Sequence, residues 1–375
     1  MLPRGPGFSN GHPPRPRRGR TRGLRDSYRG LLQQQQQQDW PSARPCTEFD
    51  KAYFHAYSHV GVHEEMIKDD VRTGTYKAAI MRYQNLIEGK VVLDVGCGTG
   101  ILAIFCALAG AKRVYAVDAS EIALQANEIV KDNNLSDKVI VMLGRVEDVN
   151  IEENVDVIIS EWMGYMLLYE TMLPSIIFAR DKWLKPGGLI LPSHATLYMA
   201  PVTHTARYSE SIDFWRDVYG IKMSAMLPLA KQSAFEEPCI ETITGENVLT
   251  WPLMVMEVDC YTIKVQELES ITANYRFSSM LNGSPSSDQH SQNSSQSKKR
   301  VKSDETIVLS TAPEDAPTHW QQTLLYLYEP IELKQDQIIE GSVTLTQSME
   351  NPRFLNIHLA YSSGGRSFVK ESVMR

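Results

Sequence analysis

The chain has 375 residues, a formal net charge of −7, 42% hydrophobic residues and 22% charged residues. That length allows two domains plus tails, and the composition is ordinary for a soluble globular protein. No apolar run approaches the ~20 residues that span a bilayer. The Arg/Pro/Gly-rich start lacks the apolar segment of a secretory signal, and the five cysteines have no paired metal spacing. A reduced intracellular protein with no metal site and no membrane partner is expected.

Charge divides the chain. Residues 1–45 hold nine Arg against two Asp, a net of +7; the whole is −7, so the rest carries −14. An acidic body attracts basic partners over a screening length of about 8 Å and argues against specific nucleic-acid binding through the tail.

Residues 1–48, with Arg17-Arg18-Gly19-Arg20 and the run Gln33 to Gln38, have too little apolar content for a core and read as a disordered tail. From Phe49 a helical pattern begins with Tyr53, Phe54 and Tyr57. It continues as one periodic run from Val62 to Arg82. Strand-like runs then alternate with helices: Val91–Val95, Val114–Val117, Val139–Leu143 and Val155–Ile159, closing on a turn at Trp183 to Gly188 that leads into a strand up to Pro192. Residues 49–192 therefore read as helices plus a parallel α/β domain.

Beyond Pro192 the strand-like runs are Ala195–Ala200, Leu253–Val258, Ser270–Phe277, Thr306–Leu309, Thr323–Tyr328, Ile338–Thr346 and Phe354–Tyr361. Their turn-rich separation predicts an antiparallel β-domain over 193–375. The aromatic amphipathic segment Ile212–Ile221 interrupts it. So does a Ser/Gln/Asn-rich loop at about 282–305 containing Lys298-Lys299-Arg300-Val301-Lys302, whose consecutive cations suit a nuclear import signal or a merely solvated charge run.

Two motifs carry chemistry. In Asp94-Val95-Gly96-Cys97-Gly98-Thr99-Gly100, between a strand and an apolar helix, spaced glycines let the backbone approach a ligand. Asp118, ending the next strand about 20 residues on, is placed for two ribose hydroxyls or, equally, to cap the helix after it. The G-x-G-x-G spacing favours a nucleoside cofactor without a pyrophosphate. In Ser160-Glu161-Trp162-Met163-Gly164-Tyr165-Met166-Leu167-Leu168-Tyr169-Glu170, two carboxylates bound an apolar, aromatic loop. Both ionise there only with a cation between them, and a planar guanidinium fits best.

Together with His63-Glu64-Glu65-Met66, Val71-Arg72-Thr73 and Thr318-His319-Trp320, these segments resemble the type I protein arginine N-methyltransferases, closest to plant members of subfamily six. The resemblance implies a Rossmann-like S-adenosylmethionine-dependent methyltransferase domain followed by an antiparallel β-barrel-like domain. It adds a helical dimerisation arm at about 205–228. It implies transfer of methyl groups to protein arginines, giving omega-N monomethylarginine and asymmetric dimethylarginine, on histone tails and Arg/Gly-rich segments. A homodimer is expected, in the nucleus and cytoplasm, with the nuclear location preferred.

By position, the resemblance assigns S-adenosylmethionine to His63, Arg72, Gly96, Asp118 and Glu147, with Arg72 on the methionine carboxylate and Glu147 on the adenine amine. Each has a plainer reading: a packing histidine at His63, a helix-surface ion pair at Arg72, a solvated acid at Glu147. Glu161 and Glu170 are the catalytic pair. His319 relays a proton with Asp69 as its carboxylate partner, or else pins barrel to helix. Tyr57, Met66, Met172 and Trp320 line the acceptor pocket, although isolated methionines read as core. After Met280 the family continues with an apolar, aromatic strand, which here gives way directly to the polar loop. A barrel with an open edge is the expectation, and with it the alternative of an impaired variant that partners an active relative.

Overall fold

The computed structural model describes residues 45–279, 306–327 and 329–375. The expectations for the basic tail up to Arg44, for Met280 and for the 282–305 loop with its Lys298–Lys302 cluster fall outside the described residues.

Helix α1 (Glu48–Ala56) opens on a capping box: Thr47 Oγ1 accepts the Asp50 N–H at 3.1 Å and Asp50 Oδ2 accepts the Thr47 N–H at 2.9 Å. Such a cap contributes about 1 kcal/mol. The periodic run Val62–Arg82 is two helices, α2 (Val60–Lys68) and α3 (Asp70–Arg82), not one. Asp69 between them is extended (φ −70°, ψ 94°), and its carboxylate accepts the Arg72 N–H at 2.9 Å. Apolar spacing continues in phase across this break, so periodicity alone does not reveal it. A short α4 (Gln84–Ile87) follows.

The α/β part runs β1 (Val91–Val95), α5 (Ile101–Leu108), β2 (Arg113–Asp118), α6 (Ile122–Asp132), β3 (Val139–Leu143), β4 (Val155–Ile159), α7 (Leu173–Trp183) and β5 (Leu184–Leu191). Its strands pair in parallel in the order β3-β2-β1-β4-β5. Every β1 residue is buried because alternate side chains enter different cores. Val92 packs with Ile80, Leu102 and Cys106, whereas Leu93 packs with Ile158, Ile176 and Trp183. The expected turn at 183–188 is instead the start of β5, which follows α7 without a loop and takes a register shift between Val155 and Val157. Chain order reverses between β1 and β4, which opens a crevice at their C-terminal ends. The glycine turn and the two-glutamate loop both leave the sheet there.

The rest comprises β6 (His194–Met199), α8 (Thr205–Ser211), α9 (Leu227–Phe235), β7 (Cys239–Glu241), β8 (Leu253–Asp259), β9 (Ser270–Ser278), β10 (Gln322–Leu324), β11 (Ile338–Gln347), β12 (Leu355–Ser363) and β13 (Arg366–Met374). All pairings are antiparallel, in sheets ordered β13-β12-β11-β9, β6-β8 and β10-β7. Thr306–Leu309 forms no strand, the expected Thr323–Tyr328 keeps only Thr323 and Leu324, which it shares with β10, Tyr328 falls outside the described residues, and β13 is an addition to the sequence reading. The segment Ile212–Ile221 is a 3-10 turn at Asp213–Arg216 and a tight loop closed by a Val218–Ile221 bridge. Tyr275, Phe277, Leu345 and Ile357 join the core that contains Leu93, so one apolar interior runs from the parallel sheet into the β-domain.

Candidate functional site

The glycine turn after β1 is built for a close approach. Gly96 sits at φ +72°, and a Cβ there would lie 2.5 Å from Met172 Cε. Gly98, at φ +55°, would bring its Cβ within 3.1 Å of His63 Nδ1. His63 is 4% exposed, and its Nε2–H donates to the Tyr57 carbonyl at 2.7 Å, which leaves Nδ1 on the side of the turn. Asp118 accepts the Gly98 N–H at 2.8 Å on Oδ2, and the Ser120 N–H and hydroxyl at 2.8 and 2.6 Å on Oδ1. It thus fixes the turn and the approach to α6 together. Glu147 accepts the Ser175 hydroxyl of α7 at 2.6 Å.

Asp94 is fully buried at the end of β1, and neither carboxylate oxygen has a hydrogen-bond partner. Burial pushes its carboxyl up to about 7; the nearby Ala103 N–H, short of hydrogen-bond geometry, lowers it only in part. An unpaired buried carboxyl beside glycines that leave no room for side chains fits a small cationic ligand reaching into the cradle. S-Adenosylmethionine carries both an ammonium and a sulfonium, so these residues fit it.

The loop after β4 is stapled at its base, where the Trp162 carbonyl accepts the Met172 N–H at 3.1 Å and the Thr171 hydroxyl at 3.2 Å. Its turn leaves no room at Gly164, where a Cβ would meet the Tyr169 carbonyl oxygen at 1.6 Å. Met166, Leu167 and Glu170 take left-handed φ of 50°, 66° and 57°. Backbone strain of this kind persists where surrounding contacts over-determine it.

Glu161 is held from the N-terminal helices. Arg72 donates Nε–H and Nη2–H to Glu161 Oε2 at 3.0 and 2.9 Å, and the two side chains are 7% and 8% exposed. Arg72 Nη1 also reaches the Met66 carbonyl and the Thr73 hydroxyl, both at 3.3 Å. The expected carboxylate-binding arginine is therefore engaged by Glu161, whose Oε1 remains buried without a partner. Met66 lies beside the pair, its sulfur 3.9 Å from Arg72 Nη2.

Asp69 joins three elements. Its Oδ1 caps α3, while Oδ2 accepts the His319 backbone N–H at 2.8 Å and Nδ1–H at 2.7 Å. Burial opposes ionisation of Asp69, but the Arg72 and His319 bonds outweigh it and hold the carboxyl below its usual range. Because a carboxylate only accepts, Nδ1 carries a proton, and the ring is held with Nε2 as its other nitrogen. Trp320 stacks near His319, with ring centroids 4.0 Å apart, and donates Nε1–H to the Met163 carbonyl at 3.0 Å.

Glu170 is partly buried. Burial raises its carboxyl above the ordinary glutamate value, against the opposing charge of Arg353 and a bond from Tyr169. The Tyr57 and Tyr169 hydroxyls are each pushed up to about 12, burial first and Glu170 second. Two residues in these contacts escape the sequence reading, and Asp94, quoted there with the glycine turn, has no role of its own in it although it is the lone acid of an otherwise apolar strand. Asp50 and Arg353 touch across 303 positions, with no local pattern to announce them.

A parallel sheet with a glycine cradle at its switch point and an acid ending the second strand defines an S-adenosylmethionine-dependent methyltransferase. Residues 73–193 match the family described as ribosomal protein L11 methyltransferase (PrmA), and residues 193–366 match the arginine methyltransferase oligomerization subdomain. A probable protein arginine N-methyltransferase 6 of Arabidopsis thaliana is 65% identical over 364 residues, covering 89% of this chain and 84% of the relative. A probable protein arginine N-methyltransferase 6.2 of Oryza sativa subsp. indica is 62% identical across the whole of both chains. The Trypanosoma brucei PRMT1 enzyme–prozyme complex with AdoHcy superposes at TM-score 0.73 with 33% identity, over 85% of this chain and all of that one. Arabidopsis thaliana protein arginine methyltransferase 10 gives 0.71 and 32%, over 86% of this chain and all of that one. The chain belongs to the protein arginine N-methyltransferases, within type I and subfamily six. It methylates protein arginines with S-adenosylmethionine as methyl donor.

Proposed function

We propose that Glu161 and Glu170 grip the acceptor guanidinium and that His319 takes up the proton it releases. The supporting observation is Glu161: Arg72 already seats a guanidinium on its Oε2, and its Oε1 is buried with no donor. S-Adenosylmethionine supplies, when bound, a methyl on a cationic sulfur that leaves as a neutral thioether. A guanidinium is a poor nucleophile because its charge is delocalised. Carboxylates along one edge draw that charge away from the opposite nitrogen and align it, which is worth orders of magnitude in rate. The proton then goes to His319 Nε2, with Asp69 holding the ring. Arg72, once drawn towards a ligand carboxylate, frees Glu161 Oε2 as well. Met66 and Met172 border the space into which a second methyl on the same nitrogen must fit, in line with an asymmetric dimethylarginine product.

Histone tails and Arg/Gly-rich segments suit a body carrying −14 outside its basic tail. The working form is a homodimer joined through the arm at about 205–228. It acts in the nucleus as well as the cytoplasm, a location checked by a fluorescent fusion lacking the Lys298–Lys302 cations. The carboxylate grip is tested by Glu161→Gln and Glu170→Gln, each expected to lower methyl transfer to an Arg-Gly peptide by at least about 100-fold while calorimetric cofactor affinity stays within a few-fold. Near-normal turnover of both folded variants would sink it.

A further inference from the structure

One dipeptide in the loop between β11 and β12 touches both the N-terminal helix and the second glutamate. The Arg353 carbonyl accepts the Glu170 N–H at 2.9 Å, at the residue held with φ 57°. Its guanidinium donates Nε–H and Nη2–H to Asp50 Oδ1 of α1 at 3.1 and 2.9 Å and lies 3.7 Å above the Tyr53 ring. Next to it, Phe354 stands between Phe49 of α1 and Tyr169 of the acid loop, with ring centroids 6.3 and 6.5 Å away. The backbone N–H of Arg353 is itself tied to Asn351 Oδ1 at 3.1 Å, and Asn351 is 4% exposed. The ion pair is largely shielded, at 16% and 18% exposure, so screening by salt weakens it less than a surface pair.

We propose that Arg353 is a positioning residue: its guanidinium latches α1 across the acceptor side of the site while its backbone carbonyl and charge set the orientation and ionisation of Glu170. Docking of α1 and readiness of the acid loop then depend on one side chain that touches neither cofactor nor acceptor. Among the described residues, the titratable groups facing Glu170 are Tyr53 of α1, Tyr57 just past its C-terminus, Tyr165 and Tyr169 of its own loop, and Arg353. Arg353 is the one cation in that set, and it opposes the effect of burial on the carboxyl. Asp50, taking the other end of the guanidinium, tethers α1 without facing Glu170.

The inference rests on Glu170 holding the acceptor, and the experiment keeps the two readings apart. Arg353→Gln, Arg353→Lys, Asp50→Asn and Glu170→Gln are compared by peptide kcat/KM across pH and by hydrogen exchange over residues 48–56. Arg353→Gln is expected to lower kcat/KM roughly tenfold or more, move its acid limb to higher pH and speed exchange in α1. Asp50→Asn should speed the same exchange with the limb unmoved towards higher pH, because the cation beside Glu170 remains. Arg353→Lys should keep the limb near its original place. A folded Arg353→Gln variant with wild-type kcat/KM, or with reduced kcat/KM and an unmoved limb, overturns the proposal. If that variant does not fold, wild-type exchange of α1 in Asp50→Asn overturns it instead. An active Glu170→Gln removes the underlying grip, whereas an inactive one beside a normal Arg353→Gln removes only the latch.

Discussion

Neither oxygen of Asp94 is hydrogen-bonded although the residue is fully buried, and its carboxyl is pushed from 3.8 up to about 7. A raised folded value means that the native state binds this proton more tightly than the unfolded chain does. Its stability contribution is complete below the unfolded value of 3.8 and is lost as pH rises through about 7. Above pH 7 the ionised carboxyl costs up to about 4 kcal/mol, and a cationic ligand in the glycine cradle offsets that cost. Asp94→Asn should therefore melt higher than the unaltered chain without ligand at pH 8, with the difference shrinking steadily towards pH 4, and should bind S-adenosylmethionine more weakly. Melts from pH 4 to 8 with and without the ligand test this. A pH-independent gap between the two proteins would show that Asp94 does not titrate in the folded state. At this scale the acid pair of the loop was legible in sequence, because two carboxylates stand out against apolar neighbours. The engagement of Arg72 by Glu161 was not, since it joins positions 89 apart.

Elements were readable where burial follows the simplest pattern. β1 and β4 are short, mostly apolar runs bounded by turns, each carrying a single acid (Asp94 and Asp156), and both lie mid-sheet where such runs belong. β13 breaks the pattern: Lys370 and Ser372 point inward beside Met374 while Val369 is 58% exposed, so apolar and polar residues do not sort by face. Lys370 is tolerated inside because its ammonium donates to the Phe235 carbonyl at the last residue of α9. The arm shows the reverse case. Ile212 anchors it at 0% exposure, while Phe214 is 51%, Tyr219 99% and Ile221 57% exposed; Trp215 is half-buried against Phe214. Side chains of this size are each worth about 1.5–3 kcal/mol on burial, and the oligomerization-subdomain match points to another chain as what covers them. Phe214→Ala with Trp215→Ala should shift sedimentation towards the monomer. An unaltered mass distribution would leave the arm with no part in assembly.

Among the described residues two apolar cores lie on either side of the parallel sheet, one of them continuing into the β-domain, but the sheets are unequally protected. β1 is flanked by β2 and β4, and all its residues are buried. β9 pairs with β11 from Ser270 to Ser278 and, among the described residues, is the outer strand of its sheet, with mostly exposed or half-buried side chains. In the sequence resemblance a further apolar strand follows at Met280. The alignment with the Oryza sativa relative spans 400 positions against 375 residues here, so at least 25 positions have no residue in this chain. An edge without its ladder partner leaves backbone groups to water and lowers the cost of local opening. Stability of only ~5–15 kcal/mol leaves little margin for that loss. Amides of Ser270–Ser278 should accordingly exchange early, those of Val91–Val95 late, and a relative's strand grafted after Met280 should slow the former. The graft separates a missing partner from a strand that is weak in its own right, because only the first is repaired by added chain. Equal protection of both strands before grafting would mean that the β-domain closes without the extra segment, and the edge would then impose no cost on the fold.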